Sequence, residues 1–416
     1  MGKFIINGGN KLFGEVQVQS AKNAVLPLFA AALLTEEEII IKNVPELIDV
    51  DNMIKIICNI GAVVKKEGQT VSIKAQDITS HNIPNSLAKE LRSSIFLLGA
   101  VLSRKKHAKV AFPGGCDIGM RPIDIHIKGL RDLNVKIEEK AGYIFCDATK
   151  LVCGEINLDY PSVGATENVM LTAVLANGKT IIHNAACEPE IVDLQNFLNK
   201  MGAKIFGAGS SVIVIEGVKK LHGITYEAMP DRIVAGTYLL ATAICGGEVL
   251  LKNARMEDIR SLCAKLSKTS CHIEHFNDNI LIKASARPTS VVSVTTQPYP
   301  GFPTDLQAPM MSLQAVSEGI CVITENIFEN RFRHVSELRK MGADIIINNR
   351  TAVIKGVPRL TAAEVNAQDL RGGAALVLAG LNAQGTTIIN DIYHIDRGYQ
   401  SIEKVFSQLG ADIIRV

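Results

Sequence analysis

The stretch Asn-Ala-Val-Leu-Pro-Leu-Phe-Ala-Ala-Ala-Leu-Leu, residues 23–34, is apolar on almost every side after its first residue. A helix that is hydrophobic all round belongs inside a protein rather than on its surface. The stretch is also well short of the roughly 20 apolar residues that a membrane-spanning helix needs. It therefore predicts a short helix buried in the core of a folded domain.

Similar segments recur along the chain, each apolar and rich in small residues, at 23–34, 93–102, 165–176, 234–245, 306–316 and 372–381. Each has a charged residue or a threonine near its start: Lys22, Arg92, Thr166, Arg232, Asp305 and Arg371. A strand pair that opens with Gly-Ala, or with a relic of it, follows at steps of 68 to 73 residues, beginning at Gly61, Asn134, Gly202, Ser270, Gly342 and Gly410. Self-similarity at a fixed period indicates a repeated structural unit.

One repeat of about 70 residues is predicted to run strand, buried helix, strand, surface helix, strand, strand. In the third repeat, for example, Lys179–Asn184 is β-rich and Ile191–Met201 is amphipathic. Six repeats of this length favour two α/β domains of three, one over residues 22–229 and the other over 1–21 plus 230–416. By register, the strand that starts the chain belongs with the last repeat, so we expect the N-terminal twenty or so residues to pack with the second half, with two chain crossings between the domains.

Composition excludes several classes of protein. The net charge is +2 and aromatic residues make up 5% with no Trp, which argues against a nucleic-acid binder. The nine cysteines show no CxxC pairs and no histidines at ligand spacing, so neither a disulfide framework nor a metal site is predicted. Cys58, Cys245 and Cys263 lie in apolar runs and are interpreted as core residues. Without a signal-peptide pattern or a membrane span, the sequence predicts a cytoplasmic protein with no membrane partner.

Residues 111–124, Ala-Phe-Pro-Gly-Gly-Cys-Asp-Ile-Gly-Met-Arg-Pro-Ile-Asp, are predicted to form a loop, because three glycines and two prolines disfavour a helix or a central strand. The loop carries one thiol, Cys116, and five residues later the guanidinium of Arg121. A thiol and a cation in one loop suit chemistry on an anion, although a surface loop with an incidental cysteine is the alternative.

The charged residues at the starts of the buried helices indicate an anion site, because helix N-termini carry partial positive charge and free N–H groups. Asp305 is the exception, an acid where most other repeats carry a base. It is a candidate general base, and an ordinary helix N-cap is the alternative interpretation. Further basic residues, Arg331, Arg333 and Arg397, fall in predicted turns. If the two halves face each other, these groups could line a cationic cleft; His334 and His394 are assigned no role.

Several motifs together resemble the UDP-N-acetylglucosamine enolpyruvyl transferase family, and the resemblance covers residues 1–416. They are Ser20-Ala21-Lys22-Asn23-Ala24, the Pro113–Pro122 loop, Ser162-Val163-Gly164-Ala165-Thr166, Phe302-Pro303-Thr304-Asp305-Leu306-Gln307, Glu329-Asn330-Arg331-Phe332 and His394-Ile395-Asp396-Arg397-Gly398. The sister family, EPSP synthase, shares the six-repeat architecture, but this chain has Ala-Lys-Asn where that family has Gly-Ser-Lys-Ser.

The resemblance implies a two-domain inside-out α/β barrel that transfers the enolpyruvyl group of phosphoenolpyruvate to the 3′-hydroxyl of UDP-N-acetylglucosamine, the first committed step of peptidoglycan synthesis. It implies small-molecule substrates and no metal or organic cofactor. By resemblance, Lys22, Arg121 and Arg397 hold phosphoenolpyruvate, Cys116 is the acid, and Asp305 faces the sugar hydroxyl. The implied UDP-sugar site consists of Asn23, Arg92, Arg121, Pro122, Ile123, Asp124, Ile125, Ser162, Val163, Gly164, Asp305 and Ile327. Asp369, Arg371 and Arg331 would surround the cleft in less defined roles.

The chain departs from the family pattern at Tyr160-Pro161, where a basic residue often precedes Ser-Val-Gly-Ala-Thr. Three alternatives remain at this stage: a transferase of the same fold with another acceptor such as shikimate 3-phosphate, a silent paralogue that binds UDP-sugar, and a repeat scaffold for proteins. The presence of Cys116, Asp305 and Lys22 disfavours the paralogue, and charges at successive helix starts disfavour the scaffold. The sequence does not indicate the oligomeric state.

Overall fold

A computed structural model describes residues 2–83, 92–112 and 123–416, except for the side chains of residues 92 and 93. The described residues divide into two compact units. The first unit comprises residues 20–83, 92–112 and 123–229, and the second unit comprises residues 2–19 and 230–416. The chain passes from the second unit into the first after Gln19 and returns after Met229.

The first unit contains three repeats in the predicted order, except that the second has no strand before its inner helix among the described residues. Its helices are α1 (Lys22–Ala32), α2 (Ile48–Asn59), α3 (Phe96–Lys105), α4 (Asp124–Asp132), α5 (Val163–Ala173) and α6 (Pro189–Lys200). Its strands are β3 (Ile39–Lys42), β4 (Val63–Glu67), β5 (Thr70–Lys74), β6 (His107–Ala111), β7 (Lys136–Lys140), β8 (Tyr143–Asp147), β9 (Glu155–Asn157), β10 (Lys179–His183), β11 (Lys204–Phe206), β12 (Val212–Glu216) and β13 (Thr225–Glu227).

The second unit repeats the same order and adds two strands from the start of the chain, β1 (Phe4–Asn7) and β2 (Leu12–Gln17). Its helices are α7 (Arg232–Cys245), α8 (Arg260–Leu266), α9 (Gln307–Val316), α10 (Val335–Lys340), α11 (Leu370–Asn382) and α12 (Ile402–Gln408). Its other strands are β14 (Gly247–Lys252), β15 (Cys271–Phe276), β16 (Asn279–Ala284), β17 (Ser293–Thr295), β18 (Ile320–Thr324), β19 (Asp344–Asn348), β20 (Thr351–Lys355), β21 (Glu364–Asn366), β22 (Thr386–Asn390) and β23 (Asp412–Arg415).

In the third, fifth and sixth repeats, the strand before the buried inner helix pairs in parallel with the strand after it, and the other strands of the sheet add antiparallel. Two strands that precede an inner helix pair with a strand of a different repeat. β2 precedes α1 but pairs with β14, and β13 precedes α7 but pairs with β3. As the register predicted, β1 lies in the last sheet, between β22 and β23. Five sheets have four strands and one has three; among the described residues, all are open rather than closed into a barrel.

The inner helices α1, α3, α5, α7, α9 and α11 form the cores, as their all-round apolar sequences predict. In α11, for example, every residue from Arg371 to Leu381 is buried. The sheets lie outside them and alternate buried and exposed positions, which is the pattern of a sheet with one solvated face. Close packing at the sheet ends requires glycine: a Cβ on Gly217 would lie 1.6 Å from the carbonyl oxygen of Ala176.

The core interpretation of the cysteines is correct for Cys263, which is buried, and wrong for Cys58, which is exposed. Cys58 follows two fully buried isoleucines, Ile56 and Ile57, on α2. Each residue of a helix turns the side-chain direction by about 100°, so an apolar run contains outward-facing positions. Cys245, the last residue of α7, is intermediate in solvent exposure. No helix in the described part of the chain is both long and apolar enough to cross a membrane.

Candidate active site

A carboxylate held by two arginines is the centre of the candidate site in the second unit. Asp305 lies in the 3₁₀ turn Thr304–Leu306, which leads into α9. Its Oδ1 atom accepts a hydrogen bond from Arg331 at 2.7 Å and its Oδ2 atom accepts one from Arg371 at 3.1 Å. Both arginine side chains are almost fully buried, whereas the Asp305 side chain is 27% exposed. The carboxylate is therefore fixed by the protein and still partly open to solvent.

The alternative interpretation of Asp305 as a helix N-cap is wrong. The 3₁₀ turn has Pro303 at its N-cap and α9 has Leu306, and neither terminus is capped by a side-chain hydrogen bond. The carboxylate of Asp305 instead contacts one side chain from later in the same repeat, Arg331, and one from the next repeat, Arg371. Its position at a helix start was visible in the sequence, but its partners were not.

Asp369 is the residue that does cap a helix here. Its Oδ1 atom accepts hydrogen bonds from the backbone N–H groups of Arg371 at 3.0 Å and Gly372 at 2.9 Å. This cap starts α11 and places Arg371 in its first turn. Asp369 therefore acts in this structure by orienting the helix that presents Arg371 to Asp305.

Arg371 remains charged although it is buried. Burial alone would lower the pKa of its guanidinium. The carboxylate of Asp305, with smaller contributions from Tyr399 and Asp231, raises this pKa above its ordinary value. The guanidinium also lies over the ring of Tyr399, and its Cζ atom is 5.4 Å from the ring centroid. Stacking and ion pairing together hold a permanent positive charge beside Asp305.

His334 is a buried member of this group to which the sequence assigns no role. Burial lowers the pKa of its imidazole to about 4, and the nearby carboxylate of Asp369 offsets this only in part, while Arg331 adds to it. A Cβ added to Gly372 would lie 3.0 Å from the Cβ of His334, so the histidine packs directly against the start of α11. The imidazole is therefore neutral near pH 7, and its position beside Asp369 and Arg331 becomes apparent only in the folded chain.

We expect the stability of the fold to fall with acidification partly through His334. The unfolded chain takes up a proton near pH 6.5 and the folded one near 4, so the unfolded state holds more protons between these values. The stability that neutral His334 contributes is present above pH 6.5 and is lost towards pH 4, on the order of 3 kcal/mol in all. His334→Gln should remove this component from denaturant unfolding curves. His275→Gln, at an exposed strand position, serves as the control; equal pH slopes for wild type and His334→Gln would contradict the assignment.

The remaining predicted residues of the second unit lie in turns. Ile327 follows β18 and is half-buried, and its backbone N–H donates to the Oε1 atom of Glu325 at 2.8 Å. Arg397 ends the 3₁₀ segment Ile392–Arg397 and is also half-buried. Arg333 is exposed, unlike its neighbour Arg331. The predicted turn position therefore did not distinguish the buried Arg331 from the exposed Arg333.

In the first unit, Lys22 is the first residue of α1 and forms a buried ion pair. Its Nζ atom lies 2.9 Å from the Oδ2 atom of Asp49, and the two side chains are 11% and 3% exposed. Asp49 stands in the first turn of α2 and was not singled out from the sequence, where it looks like a favourable acid at a helix start. The pair fixes the ammonium group at the start of the inner helix.

The Ser162–Gly164 segment begins α5. Ser162 is the N-cap, and its Oγ atom accepts a hydrogen bond from the backbone N–H of Ala165 at 3.4 Å. Gly164 lies close to His126, whose Nδ1 atom is 2.8 Å from the side-chain nitrogen of Asn168. Ser162, Val163 and Gly164 are all half-buried, so this helix start remains accessible.

We expect Gly164→Ala to destabilise the first unit. The added Cβ would lie 2.8 Å from the Cε1 atom of His126 and 3.1 Å from that of Phe96, and the hydrogen bond to Asn168 restrains the imidazole. Overpacking of this kind costs about 1–3 kcal/mol of unfolding free energy. Gly154→Ala is the matched control, because a Cβ there meets no atom within 4 Å. An unfolding free energy for Gly164→Ala equal to that of the control would contradict the close contact.

Three further predicted residues surround the start of α4. Ile123 is buried, Asp124 is exposed as the first helical residue, and Ile125 is half-buried against the core. Asn23 is exposed on α1. Arg92 begins the 3₁₀ turn Arg92–Ile95 that leads into α3, and its side chain is not among those that the structure describes.

Cys116, Arg121 and Pro122 lie outside the described residues, so their predicted roles remain predictions. Among the residues that the structure does describe, no group of three or more His, Cys, Asp and Glu side chains is arranged to hold a metal ion.

Comparison with solved structures identifies the fold. The enolpyruvyl transferase NikO from Streptomyces tendae matches with a TM-score of 0.91 and 23% identity, over 100% of this chain and 99% of that chain. EPSP synthase from Acinetobacter baumannii matches with a TM-score of 0.77 and 18% identity over 100% of both chains. At these identities the likeness shows the fold alone, which is that of the enolpyruvyl transferases, as predicted.

Comparison with sequences narrows the family. The family model described as EPSP synthase (3-phosphoshikimate 1-carboxyvinyltransferase) matches residues 6–406. UDP-N-acetylglucosamine 1-carboxyvinyltransferase 2 of Caldanaerobacter subterraneus subsp. tengcongensis is 54% identical over 100% of both chains. UDP-N-acetylglucosamine 1-carboxyvinyltransferase of Geobacter metallireducens is 48% identical over 100% of both. The chain therefore belongs to the UDP-N-acetylglucosamine 1-carboxyvinyltransferases, within the wider EPSP synthase family.

Proposed function

We propose that this protein transfers the enolpyruvyl group of phosphoenolpyruvate to the 3′-hydroxyl of UDP-N-acetylglucosamine and releases phosphate, the first committed step of peptidoglycan synthesis. Sequence identities of 54% and 48% to two named carboxyvinyltransferases, each over the full length of both chains, support this reaction. The observation that carries the mechanism is the carboxylate of Asp305, fixed between two buried guanidinium groups at the start of an inner helix.

The donor site is proposed to consist of Lys22, Arg121 and Arg397. Phosphoenolpyruvate is a small, highly charged anion, so several fixed cations are needed to concentrate and orient it. The ion pair between Lys22 and Asp49 supports this role, because a pre-positioned ammonium loses little side-chain freedom when the substrate binds.

The reaction needs two proton transfers in its addition step. The sugar hydroxyl oxygen bonds to the second carbon of the donor and loses a proton, while the methylene carbon gains one. Phosphate then leaves from the second carbon, while the carbon that was protonated loses a proton, and the double bond between the two carbons re-forms. In this proposal Cys116 delivers the proton to the methylene carbon, since a thiol with a pKa of about 8.5 can donate near neutral pH.

Asp305 is proposed to accept the proton of the sugar hydroxyl. An ionised carboxylate has about four acceptor positions, and Arg331 and Arg371 each use one, on different oxygens. The two guanidinium groups thus orient the carboxylate, and its partial exposure suits contact with a substrate. The negative charge of Asp305 would also stabilise oxocarbenium-like character during addition.

The acceptor distinguishes this proposal from a transferase of the same fold with another substrate. The purified protein is incubated with phosphoenolpyruvate and either UDP-N-acetylglucosamine or shikimate 3-phosphate, and the products are analysed by mass spectrometry. We expect only the sugar nucleotide to gain a carboxyvinyl group. A carboxyvinyl product from shikimate 3-phosphate alone would contradict the proposed acceptor.

A further inference from the structure

Glu325 is a buried carboxylate in the second unit, 1% exposed, just after β18. Its oxygens accept four hydrogen bonds, all from neutral donors. Oε1 accepts from the Thr296 hydroxyl at 2.9 Å and from the backbone N–H groups of Ile327 at 2.8 Å and Phe328 at 3.1 Å. Oε2 accepts from the Thr304 hydroxyl at 2.9 Å.

This hydrogen bonding differs from that of most buried acids, which are paired with cations. In the described part of the chain, no lysine or arginine nitrogen lies within ion-pair distance of Glu325. A carboxylate buried in this way is tolerated only when hydrogen bonds replace its lost hydration. The four neutral donors are therefore needed to keep Glu325 in place, and Glu325 in turn fixes the segments that supply them.

Those segments carry two of the proposed substrate-contacting residues. Thr304 immediately precedes Asp305 in the same 3₁₀ turn. Ile327 is itself one of the backbone donors. Thr296 strengthens the link, because its hydroxyl also accepts from the backbone N–H of Asn326 at 2.9 Å. One carboxylate thus joins the turn that bears Asp305 to the turn that bears Ile327.

We infer that Glu325 is a positioning residue for the transfer reaction: through Thr304 it sets the position of Asp305 relative to the Ile327 turn. The inference rests on the proposed role of Asp305. Arg331 and Arg371 hold the carboxylate of Asp305 through its two oxygens, and the bond between Thr304 and Glu325 restrains the adjacent backbone. Small displacements of a reacting group are costly, because misplacement by about 1 Å can reduce rate by about 10²-fold.

Thr304→Val tests the inference by removing this bond while preserving the shape of the side chain. We expect kcat to fall by about tenfold with little change in KM for phosphoenolpyruvate. Thr304→Ser, which keeps the hydroxyl, should restore most of the activity. Thr387→Val is the matched control, because the buried Thr387 hydroxyl in β22 has no hydrogen-bond partner among the residues that the structure describes; it should behave as wild type. A kcat for Thr304→Val equal to that of the control would overturn the inference.

A double-mutant cycle with Asp305→Asn separates positioning from a general loss of structure. If Thr304 acts through Asp305, Thr304→Val should change kcat less than about twofold in the Asp305→Asn background. The same tenfold loss in both backgrounds would mean that the hydrogen bond only supports the fold. Near-normal turnover of Asp305→Asn alone would instead refute the proposed role of Asp305, which is a separate result.

Discussion

Asp305→Asn should lower turnover by a factor on the order of 10² or more, while the affinity for UDP-N-acetylglucosamine stays close to that of the wild type. The substitution preserves the shape of the side chain and removes the group proposed to accept the hydroxyl proton. One carboxylate oxygen becomes an amide nitrogen, so only one of the bonds from Arg331 and Arg371 can persist. Steady-state kinetics and calorimetric binding of the sugar nucleotide measure the two effects separately.

Two controls accompany this measurement. Asp344→Asn removes a carboxylate at an exposed strand position of the same unit and should leave turnover unchanged. Thermal unfolding of Asp305→Asn is needed as well, because leaving buried charges uncompensated can cost about 3–5 kcal/mol. If a folded Asp305→Asn protein turned over within a few-fold of the wild type, Asp305 would not be the base.

Fosfomycin should inactivate the protein by a single covalent addition at Cys116, and UDP-N-acetylglucosamine should accelerate the reaction. Fosfomycin is a compact phosphonate that cations proposed for the donor could hold, and its epoxide carbon is open to attack by a thiolate. Cys116→Asp should resist inactivation and retain some activity, because a carboxylic acid can donate a proton but is a poorer nucleophile. Peptide mass mapping locates the adduct.

The other cysteines make the selectivity of this labelling testable. Burial raises the pKa of the Cys146, Cys245, Cys263 and Cys321 thiols to about 12, so they are poor nucleophiles near pH 7. Cys58 is exposed and Cys153 is half-buried, so both are accessible thiols, and Cys153 serves as the control position. Cys153→Ser should be inactivated at the wild-type rate. Label on Cys153, or inactivation of Cys116→Asp at the wild-type rate, would refute the assignment of Cys116.

The repeated architecture was predictable because it depends on local patterns. Apolar residues on every face of a segment such as 234–245 indicate a buried helix whatever lies around it, and α7 occupies Arg232–Cys245. The closing strands and the return of β1 to the last sheet followed from the spacing of the repeats. The pairing of β2 with β14 and of β13 with β3 did not follow from that spacing, because each strand keeps its expected place in the sequence and only its pairing partner differs.

Site residues were predictable by position but not by contact. Asp305 was conspicuous as an acid among helix-start bases, yet its partners Arg331 and Arg371 lie 26 and 66 residues away. Asp49 and Glu325 resemble ordinary surface acids in sequence, and only the folded chain shows that they are buried. Such pairings depend on how the helices and turns within a repeat, and for Arg371 between neighbouring repeats, pack together, which no local pattern specifies.

Release of phosphate from phosphoenolpyruvate, measured with and without UDP-N-acetylglucosamine, tests the central claim most directly. Transfer requires the acceptor hydroxyl, so the wild-type protein should release phosphate at a sustained rate only when the sugar nucleotide is present. Equally fast release in its absence would show that water replaces the acceptor, and would identify the protein as a phosphatase rather than an enolpyruvyl transferase.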